Sequence, residues 1–226
     1  MAAGWRCWPA RRCWPPARAT ASRPADERRV FRYNQPEALT SLDPAFARNQ
    51  ANGWATAQLY NGLLALDSTL QAAPGAGPPL PDFARRADLH LHAAGAACAS
   101  TTMRLFQAGR GRAVTAADFA YSFRRLFEAK TASPGGWIFR GKVLEDSRGE
   151  LSDTCFVAAN DSTLRIHLKA PFIPFLGMLT MPYAYVVPHE AVARYGKDFR
   201  AHPVGTGPFR FHALGRGQRA ALPTQP

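Results

Sequence analysis

The chain has 226 residues, of which 46% are hydrophobic, enough for one substantial core or two small ones. Its formal net charge is +12, a value that ordinarily suggests a nucleic-acid or anionic membrane partner. The basic residues are concentrated in three segments, which hold 14 of the 28 basic residues but only 4 of the 16 acidic ones: 1–29, 75–113 and 212–226. The rest of the chain is therefore nearly neutral. This distribution argues against a nucleic-acid partner. No apolar run of about 18 residues predicts a membrane span, and four scattered cysteines predict no disulfide framework.

The first half of the chain predicts few regular elements. Residues 1–29 are rich in Ala, Arg and Pro and are expected to be disordered. Val30–Asn34 alternates as a strand, residues 36–44 form a loop, and residues 45–64 have helical character. Residues 72–113 then show no period of 2 or 3.6, so neither a strand nor a helix is predicted there.

Residues 114–211 carry a clear succession of elements. Thr115 is a candidate N-cap and Asp118 lies three residues on, which predicts a helix from Thr115 to about residue 129. Residues 163–168 alternate between apolar and polar, which predicts a strand after a turn at 160–161. The other predicted elements are a helical segment at 171–179, a strand at 185–188, a helix at 189–195 and a glycine turn with a strand at 203–211.

Three segments together resemble a known protein family. They are Val114-Thr-Ala-Ala-Asp-Phe119, Pro203-Val-Gly-Thr-Gly-Pro-Phe209 and the helix ending Leu59-Tyr-Asn-Gly-Leu63. The chain resembles the extracytoplasmic solute-binding proteins of family 5, the oligopeptide and dipeptide receptors of ABC transporters. The first two segments contain no nucleophile, base or metal ligand set, which favours a binding protein over an enzyme. We therefore expect no catalytic residues, no metal site and no cofactor.

The resemblance implies an α/β fold, type II-like among the periplasmic binding proteins, of which this chain supplies only the N-terminal lobe. Residues 1–29 would be a disordered, frameshifted signal region, and residues 30–50 would begin lobe one. Residues 51–185 would form a subsidiary domain of that lobe, disrupted at 72–113. Residues 186–226 would return to lobe one and stop before it is complete.

The resemblance also implies a function and a site. Family members capture peptides outside the cytoplasmic membrane and deliver them to ABC permease subunits. The intact relative would lie in the periplasm or at the outer face of the cytoplasmic membrane, and it would contact the membrane only through a lipid anchor. The substrate-binding candidates are Asn49, Gln50, Tyr60 and Trp137, because the family's cleft wall draws on the first loop, the following helix and aromatic loops. No export signal is readable here and binding needs two lobes, so a truncated, inactive fragment is expected.

The segments that break the family pattern also carry the excess positive charge. Read from the third base, residues 13–17 can encode Leu-Ala-Ala-Cys, the lipobox of bacterial lipoprotein signals. Read from the second base, Asp88–His92 can encode Thr-Tyr-Thr-Phe-Thr, which suits a strand of the family, and residues 212–215 can encode Thr-Arg-Trp-Glu. We therefore predict shifted reading frames in these segments.

Two other functions stay open at this point. Asp88-Leu-His-Leu-His92 places two imidazoles on alternate residues, as some metal-dependent hydrolases do, so a hydrolase fragment using His90 and His92 is one alternative. A small basic nucleic-acid-binding protein is the other, because of the net charge.

Overall fold

A computed structural model describes the following residues of the chain: 37–74, 88–92, 102–103, 112–209, 211, 213–215 and 219–221. All of them fall in one compact unit. The predicted disorder of residues 1–29 and the predicted strand Val30–Asn34 lie outside the described residues.

The described elements alternate between short helices and short strands. The α-helices are α1 (Gln50–Leu59), α2 (Ala116–Arg125), α3 (Phe175–Met178) and α4 (His189–Tyr195). The 3-10 helices are Pro44–Phe46, Pro134–Ile138, Pro182–Ala184 and Gly196–Ala201. The strands are β1 (Leu64–Leu66), β2 (Ala72–Pro74), β3 (Asp88–His92), β4 (Thr102–Met103), β5 (Arg112–Ala113), β6 (Phe156–Asn160), β7 (Thr163–His167), β8 (Ala213–Gly215) and β9 (Arg219–Ala221).

Helix α2 begins where its capping residues predict. The Thr115 backbone N–H donates to the Asp118 carboxylate over 2.9 Å, so the capping box is formed. The helix ends at Arg125, short of the predicted residue 129, and its buried face carries Phe119 and Phe123 into the main core. Helix α4 also matches its prediction: it ends at Tyr195 and is capped by Gly196, whose φ of +53° suits glycine.

The prediction of one helix over residues 45–64 is wrong. The Asp43 carboxylate accepts from the Ala45 N–H and starts the short Pro44–Phe46 helix. Asn49 then caps α1 separately, accepting from the Asn52 N–H over 2.9 Å. Two cap residues within seven positions therefore divide the segment, and the chain continues into β1 after Tyr60 takes an extended conformation.

The prediction that residues 72–113 supply no strand is also wrong. Strand β3 pairs antiparallel with β7, which pairs in turn with β6, in the sheet order β3-β7-β6. The register places Leu89 opposite Ile166 and Leu91 opposite Leu164. The side chains of Leu164 and Ile166 are buried. The Asp-Leu-His-Leu-His alternation has the period of a strand, but the irregular residues on both sides hid it.

Three further predictions differ from the structure in extent. The apolar segment 171–179 is helical only in α3. The predicted strand 185–188 is reduced to a single bridge between Tyr185 and Gly62. No named strand covers Phe209 among the described residues, although its N–H donates to the Gln58 carbonyl over 3.1 Å.

The glycine turn at 205–207 packs against the end of α1. The Gly207 N–H donates to the Leu59 carbonyl over 2.8 Å, and the Asn61 side-chain amide donates to the Thr206 carbonyl over 2.7 Å. Thr206 is buried, and a Cβ atom added at Gly207 would lie 2.5 Å from the Gln58 carbonyl oxygen. This turn therefore needs glycine for close packing between distant parts of the chain.

Candidate ligand-binding surface

A buried ion pair fixes the loop that precedes α1. The Arg125 guanidinium on α2 donates to both carboxylate oxygens of Asp43, over 2.9 and 2.5 Å, and both side chains are almost fully buried. Burial opposes the charge, but the hydrogen bonds to Asp43 raise the pKa of Arg125 above its ordinary value. The same carboxylate caps the Pro44–Phe46 helix, so α2 and this loop form one rigid arrangement.

The segment that follows α4 holds the loop from another side. The Leu42 N–H donates to the Arg200 carbonyl over 3.0 Å. The Arg125 guanidinium lies 5.6 Å from the centroid of the Phe199 ring, within the range of a cation–π interaction. Two distant parts of the chain therefore position the residues that lead into α1.

The Pro134–Ile138 helix is attached to the same loop. The Ser133 hydroxyl donates to the Ala45 carbonyl over 2.6 Å and accepts from the Gly135 N–H over 3.0 Å. Gly135 lies against Tyr183, because a Cβ atom added there would come within 2.7 Å of the ring carbon Cγ. The Pro134–Ile138 helix therefore contacts both the loop and the Pro182–Ala184 helix.

Helix α1 completes this surface. A Cβ atom added at Gly53 would lie 3.7 Å from Cγ of Pro182, so α1 lies close to the Pro182–Ala184 helix at this point. Trp54 and Trp137 are 37% and 49% exposed, although large aromatic side chains usually bury more of their area. We call the surface formed by Arg48, Gln50, Trp54, Trp137 and Tyr183 the aromatic wall.

Three predicted site residues lie on the elements of the aromatic wall. Trp137 is in the Pro134–Ile138 helix, and Gln50 is the exposed first residue of α1. Asn49 lies next to Gln50, and its side-chain carbonyl caps the helix. Gln50 and Trp137 are therefore exposed to solvent, whereas the Asn49 side chain stabilises the start of α1.

The fourth predicted site residue, Tyr60, is part of the core instead. It is 1% exposed and packs with Leu59, Val187 and Phe199 in a second core cluster. Burial, followed by the charge of Asp43, raises the pKa of its phenol well above the ordinary value. Its aromatic ring therefore contacts protein and not solvent.

The site residues predicted from the sequence leave out three residues of the aromatic wall, namely Arg48, Trp54 and Tyr183. Tyr183 is partly buried, which raises the pKa of its phenol, while the nearby charge of Arg48 lowers it. Tyr183 gave no signal because its position depends on contact with Gly135, nearly fifty residues earlier. The adjacency of Arg48 to Asn49 was visible in the sequence, but nothing there indicated that its charge acts on Tyr183.

The two histidines of the hydrolase alternative lie on β3. The register places His90 opposite Arg165 and His92 opposite Thr163. In the part of the chain that the structure describes, no group of three or more His, Cys, Asp and Glu residues could hold a metal ion.

None of the described helices is long and apolar enough to cross a membrane.

Comparison with known proteins relates the chain to binding proteins. Residues 109–226 match the family described as bacterial extracellular solute-binding proteins, family 5 Middle. This match includes residues 109–113 and 212–226, for which a shifted reading frame stays a prediction.

Individual relatives cover only part of their own length. The probable deoxycholate-binding periplasmic protein YgiS of Escherichia coli K12 is 26% identical over 187 residues, covering 79% of this chain and 33% of YgiS. The glutathione-binding protein GsiB of Pectobacterium atrosepticum is 46% identical over 56 residues, covering 25% of this chain and 11% of GsiB.

A solved structure shows the same fold. The substrate-binding domain of an oligopeptide ABC transporter from Bacillus anthracis has a TM-score of 0.73 at 18% identity, covering 88% of this chain and 38% of that protein. The chain thus spans about a third of the length of YgiS and of this structure. Because the family match extends over more than half of its residues, the chain belongs to the bacterial extracellular solute-binding proteins of family 5.

Proposed function

We propose that the chain is part of the substrate-binding component of a peptide ABC transporter, which captures oligopeptides outside the cytoplasmic membrane. The observation that carries this proposal is the aromatic wall, where exposed Trp54 on α1 and exposed Trp137 on the Pro134–Ile138 helix lie on elements that both contact the Pro182–Ala184 helix. The names of two relatives agree with it, since GsiB is a glutathione-binding protein and the Bacillus anthracis structure belongs to an oligopeptide transporter, whereas YgiS is named for binding deoxycholate.

The chemistry of the aromatic wall suits a peptide. The exposed faces of Trp54 and Trp137 can cover apolar side chains, and an indole also offers a hydrogen-bond donor at its edge. Gln50 can donate to and accept from the main chain of a ligand. Such contacts recognise the peptide backbone and tolerate different side chains, as a receptor for many peptides requires.

Further parts of the proposal come from the family. The intact protein would deliver its peptide to permease subunits and would be held outside the cytoplasmic membrane by a lipid anchor. Residues 30–50 and 186–226 would belong to lobe one, and residues 51–185 would form its subsidiary domain. Asn49, Gln50 and Trp137 would contribute to the ligand site.

Saturation-transfer NMR with the tripeptide Ala-Phe-Ala tests the proposal on this chain. A single wall leaves one side of the ligand in water, so we expect saturable binding with a Kd of about 1 mM rather than tighter than about 10 µM. Trp137→Ala should weaken this binding by about tenfold. Phe172→Ala removes a comparably exposed aromatic ring from outside the aromatic wall and should leave binding unchanged. Absence of saturable binding, or equal losses in both variants, would contradict the proposal.

A further inference from the structure

We propose that the aromatic wall selects ligands that carry a free carboxylate, and that Arg48 is the residue that binds this group. The inference rests on the proposed peptide-binding function and adds the chemical class that the wall prefers.

The backbone position of Arg48 is well defined. Its N–H donates to the Phe46 carbonyl over 2.8 Å, directly after the Pro44–Phe46 helix. That helix is tied to α2 by Asp43 and Arg125, and to the Pro134–Ile138 helix by Ser133. The side chain of Arg48 is therefore presented from a rigid support, which lowers the entropic cost of binding a ligand.

The side chain of Arg48 is exposed and has unused donors. Among the described residues its guanidinium makes no hydrogen bond or ion pair. By contrast, Arg112 and Arg125 bind carboxylates, and Arg124 donates to the carbonyl groups of Asp153 and Phe156. A guanidinium has five donors in a planar fork that fits both oxygens of a carboxylate.

The surroundings of Arg48 favour a negative ligand. Burial raises the pKa of the Tyr183 phenol and the charge of Arg48 lowers it, so the positive charge of Arg48 acts on this part of the aromatic wall. A second cation lies near the other end of the wall, where the Lys142 ammonium donates to the Trp137 carbonyl over 3.0 Å. The acid closest in sequence to Lys142 is Glu145, which is paired with Lys169 over 2.5 Å.

Two kinds of peptide would supply this chemistry. One carries its carboxylate at the C-terminus, and the other carries it on an acidic side chain. Ala-Phe-Ala with a free C-terminus presents the first, Ala-Glu-Ala amide presents the second, and Ala-Phe-Ala amide presents neither. Comparing the three ligands therefore identifies the source of the carboxylate.

The experiment measures the affinity of the unmodified chain and its variants for these three peptides by NMR titration. We expect the unmodified chain to bind a carboxylate-bearing peptide about tenfold tighter than Ala-Phe-Ala amide. Arg48→Gln should abolish the preference, and Arg48→Lys should keep only part of it, because an ammonium lacks the planar fork. Arg148→Gln, at an exposed arginine in the loop 146–149, should keep all of it.

The outcomes separate this inference from the proposed function. Equal binding of all three peptides by the unmodified chain would overturn the role of Arg48 while leaving peptide binding in place. A preference that survives Arg48→Gln would overturn it as well. Failure to bind any peptide would overturn both. Thermal unfolding of Arg48→Gln should match that of the unmodified chain, since the replaced side chain is exposed.

Discussion

Replacing Gly207 with Ala should destabilise the fold through one added methyl group. The new Cβ atom would lie 2.5 Å from the Gln58 carbonyl oxygen, 2.5 Å from the Leu59 carbonyl carbon and 2.7 Å from the Tyr60 nitrogen. All three are backbone atoms, so the contact cannot be relieved by rotating a side chain. The turn must move away from α1 as a whole.

The expected cost follows from the contacts that the movement breaks. Overpacking of this kind costs about 1–3 kcal/mol. Moving the turn also strains the hydrogen bonds from Gly207 to Leu59 and from Phe209 to Gln58, each contributing about 0.5–1.5 kcal/mol. We therefore expect a loss of about 2–6 kcal/mol in the free energy of unfolding, and a Tm about 5–20 °C lower.

Urea denaturation followed by circular dichroism measures this loss. Gly177→Ala is the matched control, because an added Cβ atom there meets nothing within 4 Å and the residue lies in helix α3. Alanine in a helix is favoured over glycine by about 0.5–1 kcal/mol, so the control should be neutral or slightly more stable. If Gly207→Ala unfolds at the same urea concentration as Gly177→Ala, the packing argument is refuted.

Three further predictions concern buried and paired groups. Arg125→Met should lower the free energy of unfolding, measured by urea denaturation, by about 3–5 kcal/mol, because it leaves the Asp43 carboxylate buried without its partner. Adding Asp43→Leu should recover part of this loss. Equal stability of Arg125→Met and the unmodified chain would contradict the prediction. Burial opposes the ionisation of Asp118, but hydrogen bonds from Arg112 lower the pKa of this carboxyl group in the folded chain. The ionised carboxylate therefore stabilises the fold above the unfolded-state pKa of about 4, and this contribution is lost as the pH falls below that value. Stability measured from pH 7 to pH 3 should therefore fall less steeply in Asp118→Asn, and parallel curves would contradict this. Burial raises the pKa of the Cys155 thiol to about 11, so iodoacetamide at neutral pH should modify this thiol only after the chain unfolds. Peptide mass spectrometry measures the modification, and rapid modification of the native chain would contradict the prediction.

The sequence predicted the elements whose signals are local. The capping box at Thr115 and Asp118 defined the start of α2, and Gly196 defined the end of α4. The sequence did not reveal that Asn49 starts a new helix, because the apolar residues around it are compatible with one continuous helix. Local pattern also missed β3, which is held by pairing with β7, some seventy residues later.

The ligand-binding surface could be predicted only in part. The family resemblance directed attention to Gln50 and Trp137, and the structure places both on the aromatic wall. Tyr60 was equally plausible by residue type, but its burial depends on Val187 and Phe199, which are distant in sequence. The proximity of Arg48 and Tyr183 likewise arises from tertiary packing, so periodicity and composition carry no trace of it.

Photo-crosslinking with a tripeptide that carries p-benzoylphenylalanine at its centre tests the central claim most directly. Mass spectrometry of the crosslinked chain reports which residues the bound peptide touches. The account predicts crosslinks confined to residues 48–54, 134–138 and 181–185, and competed by excess Ala-Phe-Ala. Crosslinks concentrated on the β6–β7 hairpin, or unaffected by the competitor, would contradict the aromatic wall as the peptide-binding surface.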